Sequence, residues 1–257
     1  MLHTSLRMVV LCLGFEVHQP HRINRRFRIS DFHLSDISQA EGAYFDLKLD
    51  REIFERAYEK CYLPATNIVK EAIDRTKESD RPFKVSYSFS GLFLEQLSES
   101  HPELIETIRS MVKTGNVELL CQTYYHSLAS IFYNDMSEFR EQAKEHRSAI
   151  KRTFDYEAKV FENTEFIYNN LVAKEALDLG FSGVITEGSK ALLGDASPHF
   201  VYRSSVANKL NVLTRDYKLS DDIGFRFSSI SLKADQYMNW IAQVAEPYVL
   251  VFVDYET

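Results

Sequence analysis

Apolar residues fall into two kinds of run along this 257-residue chain. Six are short and nearly continuous: MVVLCLGFEV (8–17), FKVSYSFS (83–90), VELLCQTYY (117–125), KVFENT (159–164), FSGVIT (181–186) and YVLVFVD (248–254). A strand covered on both faces has no polar face to show, so such runs predict strands of a buried parallel sheet. Longer stretches of helical period lie between them. Leu104, Ile105, Ile108, Met111 and Val112 share one face after SHPE, where Ser100 and Glu103 have capping-box spacing, Pro102 suits a first turn and Gly115-Asn116 supplies the stop. Phe139, Ala143, His146, Ile150 and Phe154 recur at the same period, and Leu171 to Leu179 ends at Gly180. Strands alternating with helices predict an α/β fold of β/α units. No repeat or linker interrupts the pattern, so residues 1–257 are expected to form a single domain.

Polar side chains gather where the predicted strands end. In β/α barrels the carboxyl ends of the strands and the loops after them carry the chemistry. His18 and Gln19 follow the first strand, Tyr124, Tyr125 and His126 the third, Glu165 the fourth, and Asp254 closes the last. Two carboxyl groups flanking one bond are what glycoside hydrolysis needs, one ionised and one protonated. Asp254 follows an apolar run whose burial would raise its pKa, whereas Asn163 and Thr164 offer Glu165 hydrogen-bonding company that favours the anion. By spacing alone an acid at a strand end is also an ordinary cap or loop ion pair. His18 likewise has three readings: a satisfied structural histidine, a neutral imidazole for a substrate hydroxyl, or, with His21, a metal ligand at H-x-x-H spacing.

Charge and composition narrow the class. A net charge of −7 argues against nucleic acid or anionic membrane as a partner, and the basic cluster Arg22, Arg25, Arg26 and Arg28 reads as a solvated loop. Cys12, Cys61 and Cys121 are odd in number and form no CxxC pair, which predicts buried thiols in a reducing, cytoplasmic setting. The apolar stretch from Met8 to Phe15 is too short and lacks the cleavage site of a signal peptide; it reads as a buried strand, with Met8 as an alternative start. No segment approaches the roughly 20 apolar residues of a membrane span. No P-loop, GxGxxG or GxSxG is present, so no nucleotide cofactor and no serine nucleophile is expected.

These same residues carry a resemblance. His18-Gln19-Pro20, then Gly115-Asn116-Val117-Glu118 with downstream Tyr125-His126, then FENTEFIYNN (161–170), then VFVDYET (251–257) resemble four ordered motifs of glycoside hydrolase family 57, and ITEG and LSDDIGFRFS also look like its α-amylase branch. The resemblance implies an incomplete, seven-stranded β/α barrel that lacks the family's C-terminal helical region, because the chain stops three residues after Asp254. It implies a retaining, metal-independent enzyme acting on α-1,4-glucans and maltooligosaccharides, with Glu165 as nucleophile and Asp254 as acid/base, their carboxyls about 5 to 5.5 Å apart. His18, Gln19, Glu118, Tyr125 and His126 match positions associated with substrate binding and site architecture. Alternatives remain: a 4-α-glucanotransferase, a glucan-binding remnant whose acid sits on a frayed terminus, or a metal-dependent deacetylase using His18, His21 and Asp222. The sequence fixes no oligomeric state.

Overall fold

The computed structural model describes residues 9–31 and 40–257. Met8, with which the sequence pattern opens the first strand, lies outside them. Eight strands appear among the described residues: β1 Val10–Val17, β2 Val85–Phe89, β3 Val117–Leu119, β4 Val160–Glu162, β5 Gly183–Glu187, β6 Tyr202–Arg203, β7 Asn211–Arg215 and β8 Tyr248–Asp254. They form two four-stranded sheets, ordered β3-β2-β1-β8 and β4-β5-β7-β6, in which every pairing is parallel except β6 with β7.

Two thin seams join the sheets. At one, Cys121 bridges Phe161, with the Cys121 N–H donating to the Val160 carbonyl at 2.9 Å and the Glu162 N–H to the Cys121 carbonyl at 2.8 Å. At the other, the Asp216 N–H donates to the Leu250 carbonyl at 2.8 Å. Seven parallel strands thus follow one another around a ring, β1-β2-β3-β4-β5-β7-β8, one fewer than a complete (β/α)₈ barrel. This is the incomplete barrel that the resemblance implied.

Period-two alternation decides what points inward. On β8, Tyr248, Leu250 and Phe252 pack with Leu120 and Ile185 inside the ring, while Val249, Val251 and Val253 pack outward against the helices Tyr217–Gly224 and Ala234–Ala242. Asp254 continues the inward series. Gly14 admits the Phe252 ring, since a Cβ there would stand 2.4 Å from it. Two larger apolar clusters lie between the sheets and the remaining helices.

Several sequence expectations need correcting. The strand β7 has no continuous apolar run; its NVLTR alternates, burying only Val212 and Thr214, which is why it escapes the pattern. The helix Pro102–Val112 is capped by His101, not Ser100: Ser100 ends the preceding helix Gly91–Ser100, and the His101 ring bonds Glu103 and Glu55 instead. Of the three thiols only Cys121 is fully buried. The start of β1 is also open, with Val10 58% exposed. The helix Ser137–Phe154 buries Phe139, Ala143, His146, Ile150 and Phe154 as its period requires. Among the described residues no helix is long and apolar enough to cross a membrane.

Candidate active site

Strand register builds the floor of a cleft at the carboxyl end of the ring. Asp254 on β8 pairs with Glu16 on β1, and Glu16 with Ser88 on β2, so three polar side chains share one inward rung. Gln122, just past β3, donates from Nε2 to Glu16 Oε1 and to Ser88 Oγ, both at 2.8 Å, and Ser88 Oγ donates to Glu162 Oε2 at 3.0 Å. A cleft opens above; Glu16, His126, Glu162, Glu165, Arg215, Asp221 and Asp254 line it beside Phe166, Phe225 and Phe252. Five of these are acids. Arg215 answers them, donating to Glu187 Oε2 at 3.0 Å, to Asp221 Oδ1 at 2.9 Å and to the Phe252 carbonyl at 2.8 Å, with its guanidinium over the Phe166 ring.

Glu165 reaches the cleft by a different device. It sits in a 3₁₀ turn, Thr164–Phe166, with φ 56°, and Phe166 follows at φ 53°. Left-handed backbone costs an L-residue about 1–2 kcal/mol, and two in succession persist only where the surroundings hold them. Here Asn163 Nδ2 donates to Ser130 Oγ at 2.9 Å and to the Ile167 carbonyl at 2.8 Å, Thr164 bonds Thr123, and Thr186 Oγ1 donates to the Phe166 carbonyl at 2.9 Å. Asn163 and Thr164 therefore serve the turn and not the Glu165 carboxylate, contrary to the sequence expectation. A third strained residue, His126 at φ 51°, lines the same cleft.

Asp254 is exposed toward the cleft, yet partial desolvation pushes its carboxyl above the usual range, with Arg215 pulling the other way. Its anchor is firm. The next residue, Tyr255, is 7% exposed, donates its N–H to the Glu16 carbonyl at 2.8 Å and bonds Tyr87 and Thr66 through its hydroxyl; Glu256 bonds Tyr62 and Gln19.

The remaining expected residues separate. His18 Nδ1 meets Ser90 Oγ at 2.8 Å, and its ring stacks on His126 at 4.7 Å. Burial, joined by the neighbouring His126 and Arg22, lowers His18 to about 3; burial lowers His126 to about 4. Both are neutral imidazoles near pH 7. Gln19 lies beneath, its Nε2 donating to the Tyr62 hydroxyl at 2.8 Å. Tyr125 stands outside the lining, 45% exposed and edge-on to Tyr124. Glu118 is not in the cleft: it shares the rung of Ser86 and Gly14, two residues or about 7 Å below Ser88. The residues of the metal alternative also part, His21 bonding Asp50 and Asp222 bonding Arg226, and no group of three metal-ligating side chains converges among the described residues. Absent from the sequence expectation are Glu16, Ser88, Gln122, Glu162 and Arg215. Their one signal was a charge inside an apolar strand, at Glu16 and at Glu162.

Known proteins resemble this chain in sequence and in fold. A protein of Methanocaldococcus jannaschii, named provisionally as an α-amylase, is 41% identical over 254 residues, an alignment covering 97% of this chain and 51% of that one. An α-amylase of Pyrococcus furiosus is 32% identical over 136 residues, covering 52% of this chain and 19% of that one. The crystal structure of the 4-α-glucanotransferase from Thermococcus litoralis superposes with a TM-score of 0.70 at 19% identity, over 96% of this chain and 34% of that one, a likeness of fold. The chain thus spans about half the length of the first relative, and less of the others. The model of glycosyl hydrolase family 57 matches residues 12–257, nearly the whole of the sequence, and the chain belongs to that family.

Proposed function

We propose that this protein cleaves α-1,4-linked glucan with retention of anomeric configuration, Glu165 acting as nucleophile and Asp254 as acid/base. One observation carries the reading: carboxyls from the ends of β4 and β8, on different sheets, line a single cleft. In the first half-reaction the Glu165 carboxylate attacks the anomeric carbon while protonated Asp254 gives its proton to the departing glycosidic oxygen. The product is a glycosyl ester on Glu165 and an ionised Asp254. Asp254 then takes a proton from water, the hydroxide attacks the anomeric carbon, and Glu165 leaves as carboxylate. Partial desolvation of Asp254 favours the protonated starting state, and neutral His126, whose Nδ1–H donates to Gln122 Oε1 at 2.8 Å, leaves Nε2 as an acceptor for a sugar hydroxyl without adding charge.

The experiment is incubation with maltooligosaccharides of defined length. Shorter chains, released first as the α-anomer by NMR, are expected, and both signals vanish in Glu165→Gln. Longer chains alongside the shorter would make a sugar the acceptor and the enzyme a glucanotransferase. No new chain length under any condition, with the glucan still bound, would overturn catalysis in favour of a glucan-binding role.

A further inference from the structure

Two carboxyls of the cleft floor take no part in that scheme. Glu16 is 8% exposed and Glu162 2%, and neither has a lysine or arginine partner among the described residues. They come from opposite sheets, Glu16 from β1 and Glu162 from β4, yet lie within hydrogen-bonding reach of each other. Glu16 Oε2 is buried and meets no N–H or hydroxyl donor among the described residues. A carboxylate oxygen in that position is left unsatisfied, whereas a carboxyl proton held between the two groups satisfies both. Ser88 and Gln122 already supply the remaining oxygens, so the unit is complete once it holds a proton.

Its placement gives the pair a use. Glu16 is the register neighbour of Asp254, and Glu162 lies three residues before Glu165. We infer that Glu16 and Glu162 form a proton-dependent clasp between the two sheets, a pair of positioning residues that sets the gap between Asp254 and Glu165. While the proton is present one carboxyl donates to the other and the walls are drawn together; when it is lost, two buried anions face each other and the walls are pushed apart. The groups facing the clasp are His126, 3.4 Å from Glu16 Oε1, with Glu165 and Asp254 acting on Glu162 and Arg215 across the cleft. None brings a cation into contact. Burial and mutual repulsion push Glu16 well up, and burial, with Glu165 and Asp254, raises Glu162 to about 7. With a raised pKa the folded chain keeps a proton that the unfolded chain has lost, so this stability is full below the ordinary 4.5 and is lost as pH rises from there through about 7.

The inference rests on the proposed roles of Glu165 and Asp254, and its test separates the two. Infrared spectra of the whole chain, which need no turnover, are expected to show the C=O stretch of a buried protonated carboxyl that fades as pH rises through neutrality and is missing from Glu16→Gln. The same variant keeps a donor to Glu162 and removes the Glu16 titration, so its melting temperature falls less than that of the wild type as pH rises from about 4.5 through 7. Glu162→Gln, which removes the carboxyl on which Glu165 and Asp254 act, flattens the curve as well and serves if the first variant does not fold. On maltooligosaccharide, wild-type kcat falls about tenfold per pH unit past its alkaline limit, and Glu16→Gln moves that limit upward with KM unchanged. A wild type without the carboxyl band, or variants whose melting and kcat profiles superimpose on the wild type, would overturn the clasp. A band with no turnover would leave the clasp standing and remove only the proposed function.

Discussion

The two sheets bring an acid each to the cleft by opposite means. In the β3-β2-β1-β8 sheet everything is ladder: Asp254 ends a seven-residue strand in register with Glu16, and Tyr255 and Glu256 pin it from the far side. In the β4-β5-β7-β6 sheet the strand stops short, and Glu165 hangs on a left-handed turn held by Asn163, Thr164 and Thr186. The polar company differs too. Neutral imidazoles follow β1 and β3, while the second sheet supplies the charged Arg215. A strand end is rigid by default; a strained turn is rigid only through its side-chain bonds, which makes the two halves break in different ways.

The largest effect is on turnover. Glu165→Gln should lower kcat on maltooligosaccharide by about 10⁴-fold or more, and Asp254→Asn by about 10²–10⁴-fold. An aryl glycoside, whose leaving group needs no proton, restores the first half-reaction of Asp254→Asn alone; equal losses on both substrates would refute the division of roles.

Acid comes next and should strike the first half. His18, His126 and His146 are all lowered by burial, to about 3, about 4 and about 4. Between those values and the ordinary 6.5 the unfolded chain binds more protons than the folded one, so their contribution to stability is lost as pH falls from about 6.5 toward 4. Imidazole NMR shifts that stay neutral at pH 5 read this directly. Titration near 6.5 would contradict the burial described.

Asn163→Ala aims at the second half. It strips donors from the buried Ser130 hydroxyl and the Ile167 carbonyl, for an expected loss of about 1–3 kcal/mol in denaturant unfolding, together with a fall in kcat. A smaller contrast is sharper. Glu165→Gly relieves left-handed strain and should gain up to about 1 kcal/mol, whereas Asp254→Gly on the strand should lose about 0.5–1 kcal/mol. Two changes of the same sign would erase the distinction between turn and ladder. Least of all is Glu118→Gln: from the lower rung it should alter KM less than about twofold and stability by about 0.5 kcal/mol. A large rise in KM would return Glu118 to substrate binding.

Much of the first half was readable from sequence because its strands are apolar runs and Asp254 closes one of them, YVLVFVD. The second half was harder. Strand β7 alternates and is too polar to announce itself, and with it went Arg215, whose role depends on Asp221 and on Phe166 from the turn after β4. Asn163 was legible as a polar residue but not as the lock of a turn, since its partners Ser130 and Ile167 lie on either side of it in the chain. Glu16 and Glu162 stood in plain view as charges within strands; that they face each other is a fact of ring closure, which no local pattern encodes.

The ring is stitched by few backbone bonds at its two seams, and these are natural fold lines. A tilt of one half against the other would leave both ladders intact and alter the gap between Asp254 and Glu165. Pressure, temperature or a long polymer draped across both rims would then act on the chemistry as a hand acts on tweezers.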